Sequence, residues 1–215
     1  MTVEKIFWQD PYLTELTAKV TGVYDGRITL DRTIFYAFSG GQESDAGTIE
    51  GYEVAEARWH QKEIFYTLRG PHPLKPGDSV LIRIDWERRY ALMRLHFAAE
   101  IILELMVRNF SEPEKIGAHI SPNKARLDFK WPGNVSQTFP LLNERLREIV
   151  LSDVSIRSGF SDQQKEIRFW EIDHFARVPC GGTHLKRTGE VGEIILRRDN
   201  IGKGKERIEI LPKIP

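Results

Sequence analysis

Apolar and polar positions alternate through most of the first 86 residues. Thr17–Val23 alternates and predicts a strand, Asp25-Gly26 is a hairpin turn signal, and Arg27–Leu30 resumes a strand. Gly40-Gly41 and Gly51 punctuate the next stretch. Glu63–Leu68 and Ser79–Ile84 alternate again, with Lys75-Pro76-Gly77-Asp78 as the turn ahead of the last strand. Many short strands within residues 1–86 predict a small β-barrel.

The period changes near Asp85. Residues 88–109 contain neither Gly nor Pro, and Leu92, Leu95, Ala99, Ile102 and Met106 recur at helical spacing. Ser111-Glu112-Pro113 closes this helix. Ala125–Phe129 reads as a strand. Thr138–Leu151 reads as a second helix with Leu141, Leu142, Leu146 and Ile149 toward a core, and Ile167–Ile172, Gly192–Leu196 and Arg207–Leu211 read as further strands. The predicted class is α+β, with a β-barrel domain over residues 1–86 followed by a helix-plus-antiparallel-sheet domain over 87–215. The chain holds no internal repeat or low-complexity tract.

Composition narrows the class further. With 40% hydrophobic and 29% charged residues, the chain has an ordinary globular balance and enough apolar content for a core. Lys+Arg and Asp+Glu both total 31, so no global field attracts polyanions. Residues 1–86 carry 9 basic and 13 acidic residues, a net −4; residues 87–215 carry 22 and 18, a net +4. That asymmetry points weakly to an anionic partner on the second half, and ordinary scatter of surface charge explains it about as well. One cysteine permits no internal disulfide, the amino-terminal residues lack the apolar run of a signal peptide, and no stretch approaches the ~18 apolar residues of a membrane span. A cytoplasmic location is expected, with no membrane or DNA partner.

That lone cysteine carries the candidate chemistry. Cys180-Gly181-Gly182-Thr183-His184 places a thiol four positions before an imidazole, across two glycines that let both side chains converge. Thiolate and imidazole are preferred zinc ligands. Upstream, His96 and Glu100 share one helical face, one turn apart. A lone helical histidine is ordinarily a packed or solvated residue and a helical glutamate ordinarily a solvated one, so only the combination points to a metal. His96, Glu100, Cys180 and His184 together can complete a tetrahedron around zinc. Structural zinc sites carry more cysteines, so this nitrogen- and oxygen-rich set is closer to a catalytic site.

These residues resemble a known family: the editing domain of alanyl-tRNA synthetase and its free-standing relatives, the AlaX proteins. In that family a helix carries an H-x-x-x-H pair and a later turn carries C-x-x-x-H, often CGGTH. Arg94–Glu100 matches the first motif except at its last position, and Cys180–His184 matches the second completely. Thr188-Gly189-Glu190-Val191-Gly192 and Gly202–Glu209 look like the family's closing segment. In the first half, Leu30–Tyr36 followed by Gly40-Gly41-Gln42, Asp45 and Gly47 resembles the family's glycine-rich motif. The resemblance thus spans nearly the whole chain, with four motifs in one order.

What the resemblance implies is a zinc-dependent trans-editing hydrolase that deacylates mischarged Ser-tRNA(Ala), or Gly-tRNA(Ala), at the aminoacylated 3' end of the tRNA. Serine exceeds alanine by one hydroxyl, which an apolar synthetic pocket rejects only about a hundredfold, so a second hydrolytic site restores accuracy. Gly40, Gly41, Gln42, Asp45 and His119 are the expected substrate contacts, with Ser121 beside His119. A tight hairpin is the plain structural reading of the glycines, and a surface loop that of the Lys115–Ser121 region. Arg198, Lys203 and Lys205 are the expected tRNA contacts, Gly202-Lys203-Gly204-Lys205 being the preferred loop. Arg88, Arg89, Arg94, Arg197 and Arg207 are further candidates for phosphate contact.

Departures from the family pattern leave three roles open for Glu100, which stands where histidine is usual: a fourth ligand, a proton acceptor beside a three-ligand zinc, or the relic of a site that no longer binds metal. Ala37 and Ser39 also stand where proline and glycine are common. The rival functions are a tRNA- or protein-binding module that has lost catalysis and a hydrolase of another aminoacyl-tRNA or a free ester.

Overall fold

The computed structural model describes residues 2–111 and 113–213. Glu112, within the segment expected to close the long helix, lies outside the described residues. The chain divides into two compact units. The first holds the chain up to Ser39 together with Glu43–Tyr90, and the second holds Gly40–Gln42 together with the chain from Ala91 onward.

The first unit is built from β1 (Glu4–Lys5), β2 (Glu15–Tyr24), β3 (Arg27–Leu30), β4 (Arg32–Thr33), β5 (Gly47–Ile49), β6 (Tyr52–His60), β7 (Glu63–Leu68) and β8 (Ser79–Ile84). Six of these strands hydrogen-bond in the cyclic order β2-β3-β7-β6-β5-β8, and β8 pairs back on β2 to close the ring. Short strands of alternating character bury one face each, and Ile28, Ile49, Ile64 and Ile82 are fully enclosed. The β2–β3 hairpin turns on Asp25 and Gly26, both at positive φ (50° and 76°), as a primed two-residue turn requires. β6 was not expected from the sequence. Its alternation is interrupted by a bulge between Val54 and Glu56, which moves the inward set from even to odd positions.

The long helix α1 (Trp86–Asn109) leads into the second unit. There follow β9 (Glu114–Ile120), β10 (Ala125–Lys130), α2 (Phe139–Ser152), β11 (Arg157–Asp162), β12 (Ile167–Ile172), β13 (Ala176–Pro179), β14 (Ile194–Gly202) and β15 (Lys205–Pro212). They form a four-stranded sheet in the order β14-β15-β10-β9 and a three-stranded sheet in the order β11-β12-β13, with antiparallel pairing throughout. The architecture is mixed α+β. α1 is buried on more than one stripe: besides Leu92, Leu95, Ala99, Ile102 and Met106, the residues Met93, Phe97, Ala98 and Ile101 are enclosed. Between Leu92 and Met106 the helix is apolar on most of its circumference, so His96, 5% exposed, is sealed from bulk water. No helix among the described residues is long and apolar enough to cross a membrane.

Candidate metal centre

The second unit brings three of the four expected ligands together. His96 comes from α1, while Cys180 and His184 flank the glycine turn that follows β13. The ligand atoms of His96, Cys180 and His184 lie within 4.8 Å of one another, and His96 Nε2 is 3.2 Å from Cys180 Sγ. Donors sharing one tetrahedral ion at bond lengths of about 2.0–2.3 Å stand roughly 3.3–3.8 Å apart, so the cluster needs little movement to close on a cation.

The turn is made by local chemistry. Cys180 N donates to the Arg168 carbonyl at 3.0 Å, and the buried Arg168 guanidinium donates to the Gly182 carbonyl at 3.0 Å. Gly182 is required by space, because a Cβ there would stand 2.6 Å from His96 Cε1 and 2.7 Å from Nε2. A Cβ built at Gly181 would meet nothing within 4 Å, so that position has no such constraint. Thr183 is buried and accepts a hydrogen bond from the fully buried Gln42 carboxamide at 2.9 Å.

Burial sets the protonation of the cluster. His96 and His184 are 5% and 3% exposed, and desolvation lowers both imidazoles from their ordinary value. His184 falls furthest, because His96 and Arg168 add to the effect of burial. Neutral imidazole is the form that ligates a metal. Burial, and then the nearby Glu100 carboxylate, push the Cys180 thiol up to about 12. A free thiol so placed is a poor nucleophile, which argues against a cysteine–histidine acyl-transfer pair. A bound cation would reverse that, since coordination releases the thiol proton.

Two buried ring nitrogens of the cluster, His96 Nδ1 and His184 Nε2, have no hydrogen-bond partner. The other nitrogen of His184, Nδ1, is 3.0 Å from Ser158 Oγ on β11. With Nδ1–H donating to that hydroxyl, Nε2 presents its lone pair to the cluster, and an orphaned buried acceptor of this kind is what an ion satisfies. The donor set therefore fits zinc, which takes imidazole and thiolate in this number.

Glu100 is not part of the three-residue group. Its Oε2 accepts a hydrogen bond from Trp170 Nε1 at 3.0 Å, and its Oε1 stops 4.0 Å from His96 Nε2. Trp170, Ser158 and Arg168 were not singled out from the sequence. They lie on strands whose pairing, not spacing, brings them to the cluster.

The other expected site residues have the following surroundings. Asp45, expected to contact substrate, is buried in the first unit. There its carboxylate accepts from Arg89 Nε at 2.8 Å and from Tyr36 N at 2.6 Å. Arg89, a candidate for phosphate contact, is fully buried in that pair and also donates to the Ile34 and Pro11 carbonyls. Gly41 is a packing position: its φ is +89°, and a Cβ would stand 2.8 Å from the Ala118 carbonyl oxygen. Gln42 braces Thr183 through its side chain. Gly40, at φ +59°, has open space around it.

His119 lies on β9, opposite Arg126 on β10, where a loop was the alternative reading. Arg94 donates to the Val191 carbonyl at 3.0 and 3.1 Å, Arg207 pairs with Asp128 at 2.7 Å, and Arg198 holds the buried Glu206 at 2.6 Å. Lys203 and Lys205 are exposed at the β14–β15 turn.

Residues 167–209 match the family described as the threonyl and alanyl tRNA synthetase second additional domain. The alanyl-tRNA editing protein AlaX-M of Pyrococcus horikoshii is 34% identical over 218 residues, covering 96% of this chain and 96% of that protein. Alanine–tRNA ligases of Sulfurisphaera tokodaii and Korarchaeum cryptofilum are 32% identical over 232 residues and 36% over 235. Those matches cover 96% and 98% of this chain but 26% of each ligase. On this likeness over nearly its full length, the chain belongs to the AlaX family of alanyl-tRNA editing proteins.

Proposed function

We propose that this chain hydrolyses the ester linking a wrong amino acid to tRNA(Ala), with serine as the principal substrate and glycine as a second. Membership of the AlaX family makes it an aminoacyl-tRNA deacylase, an ester hydrolase. The observation that carries the reading is the His96–Cys180–His184 cluster, in which both histidines are buried and His184 Nε2 has no partner.

His96, Cys180 and His184 would hold a zinc ion. When bound there, zinc supplies a Lewis acid that polarises an ester carbonyl or brings the pKa of water toward about 7. The chain supplies the rest. The buried stretch of α1 around His96 keeps bulk water from the cluster on one side, and a hydrogen bond from His184 Nδ1–H to the Ser158 hydroxyl would leave the Nε2 lone pair for the ion. Glu100 stands at the edge of the cluster as a carboxylate able to take a proton from attacking water.

Selection of serine over alanine requires polar groups that alanine would leave unpaired. We take Gly40, with positive φ and open space for a Cβ, and His119, half-buried on β9, as candidates for this task. Lys203 and Lys205 are proposed to meet tRNA phosphates, and Lys203→Ala with Lys205→Ala is expected to weaken tRNA binding and flatten its salt dependence by about two counterions.

The test is amino acid release from Ser-tRNA(Ala), Gly-tRNA(Ala) and Ala-tRNA(Ala), before and after chelation. Serine is released, alanine retained, and the activity falls on chelation. Full tRNA binding without hydrolysis of any aminoacyl-tRNA would instead identify a binding module.

A further inference from the structure

Glu100 lies at the position where a fourth ligand is expected, yet it does not join the other three. Its carboxylate has turned to the indole of Trp170, which donates Nε1–H to Oε2 at 3.0 Å. The free oxygen, Oε1, is 4.0 Å from His96 Nε2, while Cys180 Sγ is 3.2 Å from the same nitrogen. Trp170 itself cannot follow the carboxylate. It is fully buried in the centre of β12, edge-on to Phe97 at 5.1 Å and stacked on Phe175 at 6.4 Å. A rigid donor therefore holds a flexible acceptor.

We propose that Trp170 is a positioning residue that keeps Glu100 out of the metal's ligand set, so that His96, Cys180 and His184 alone hold the ion. The consequence is electrostatic. A thiolate and two neutral imidazoles leave a divalent ion with one net positive charge, whereas an added carboxylate would neutralise it and weaken it as a Lewis acid. It also leaves a coordination position for a non-protein ligand, the mark of a catalytic site. This inference rests on the metal reading of the cluster and goes beyond it by assigning Glu100 and Trp170 their places.

Cobalt(II), whose visible absorption reports ligand number and the thiolate bond, tests it without recourse to activity. Cobalt is titrated into the full chain and into Glu100→Ala, Trp170→Phe and the double variant, each checked for folding by circular dichroism. Wild type and Glu100→Ala are expected to give the same visible bands, with affinities within about threefold. In Trp170→Phe the released carboxylate can reach the ion, so the bands shift and cobalt binds about tenfold more tightly. Removing Glu100 in the double variant restores the wild-type spectrum, a rescue that a merely structural role for Trp170 would not produce.

A changed spectrum or a more than tenfold loss of cobalt in Glu100→Ala would make Glu100 a ligand and overturn the proposal. An unshifted spectrum in folded Trp170→Phe would overturn the role of Trp170. Absence of cobalt binding by the wild type would remove the metal reading itself.

Discussion

Gln42 donates through Nε2 to Thr183 Oγ1 at 2.9 Å, joining residues 141 positions apart. Both are buried, and the Gln42 carbonyl faces the Thr183 amide at 3.5 Å. The glycine-rich segment thus acts as a brace behind the Cys180–His184 turn. Gln42→Ala leaves buried polar groups of Thr183 unpaired, which costs about 1–3 kcal/mol. Urea unfolding should show that loss, and zinc affinity should fall with it because Thr183 sits between Gly182 and His184.

The two glycines of the turn should respond differently. In Gly182→Ala the new methyl meets the His96 ring at 2.6–2.7 Å, so the imidazole must leave its place. Gly181→Ala meets nothing within 4 Å. Competition for zinc against a chromogenic chelator should show a loss of tenfold or more for Gly182→Ala and almost none for Gly181→Ala.

Ser158→Ala removes the hydroxyl that orients His184, 3.0 Å from its Nδ1. Groups that orient a ligating histidine are worth about 10–100-fold in metal affinity. Because Ser158 lies at an exposed position on β11, stability should be nearly unchanged while zinc affinity drops.

Asp45 separates a structural residue from a substrate contact. Breaking its fully buried pair with Arg89 leaves an uncompensated guanidinium, a loss of about 3–5 kcal/mol. Asp45→Asn should therefore lower the unfolding midpoint sharply. In protein that remains folded, affinity for tRNA should stay at the wild-type level.

Acid stability follows from the four-stranded sheet. Burial alone would raise the Asp128 carboxyl, but hydrogen bonds from Arg207 and Arg126 outweigh it and hold the group below its ordinary value. Glu206 is lowered in the same sense, chiefly by its hydrogen bond from Arg198. The folded chain then binds fewer protons than the unfolded chain. The resulting stabilisation is complete above the unfolded carboxyl range and is lost as pH falls through the lower folded values. Asp128→Asn should be less stable than wild type near neutral pH, and the gap should narrow between about pH 5 and pH 2 in denaturant titrations.

Local order was legible where one residue dictates the next. Arg27–Leu30, Glu63–Leu68, Ser79–Ile84 and Ile167–Ile172 are strands with the bounds their alternation predicts. β9 and β11 were missed because they are edge strands. Edge positions bury little, so Glu114, Lys115, Arg157 and Ser158 carry no apolar alternation, and only pairing with β10 and β12 defines them.

The site divides in the same way. Spacing alone put His96 near Glu100 and Cys180 near His184. It could not show that Trp170, 70 positions from Glu100, holds that carboxylate, or that Arg89 and Asp45 neutralise each other. Those partners are set by strand pairing and burial, which no local pattern encodes.

The claim on which the rest depends is that His96, Cys180 and His184 grip one ion. Elemental analysis of the purified chain measures it directly. About one zinc per chain is expected in the wild type, with near-complete loss in Cys180→Ala and in His184→Ala that remain folded. A wild-type chain free of metal, or a folded Cys180→Ala that retains its full equivalent, would contradict the account.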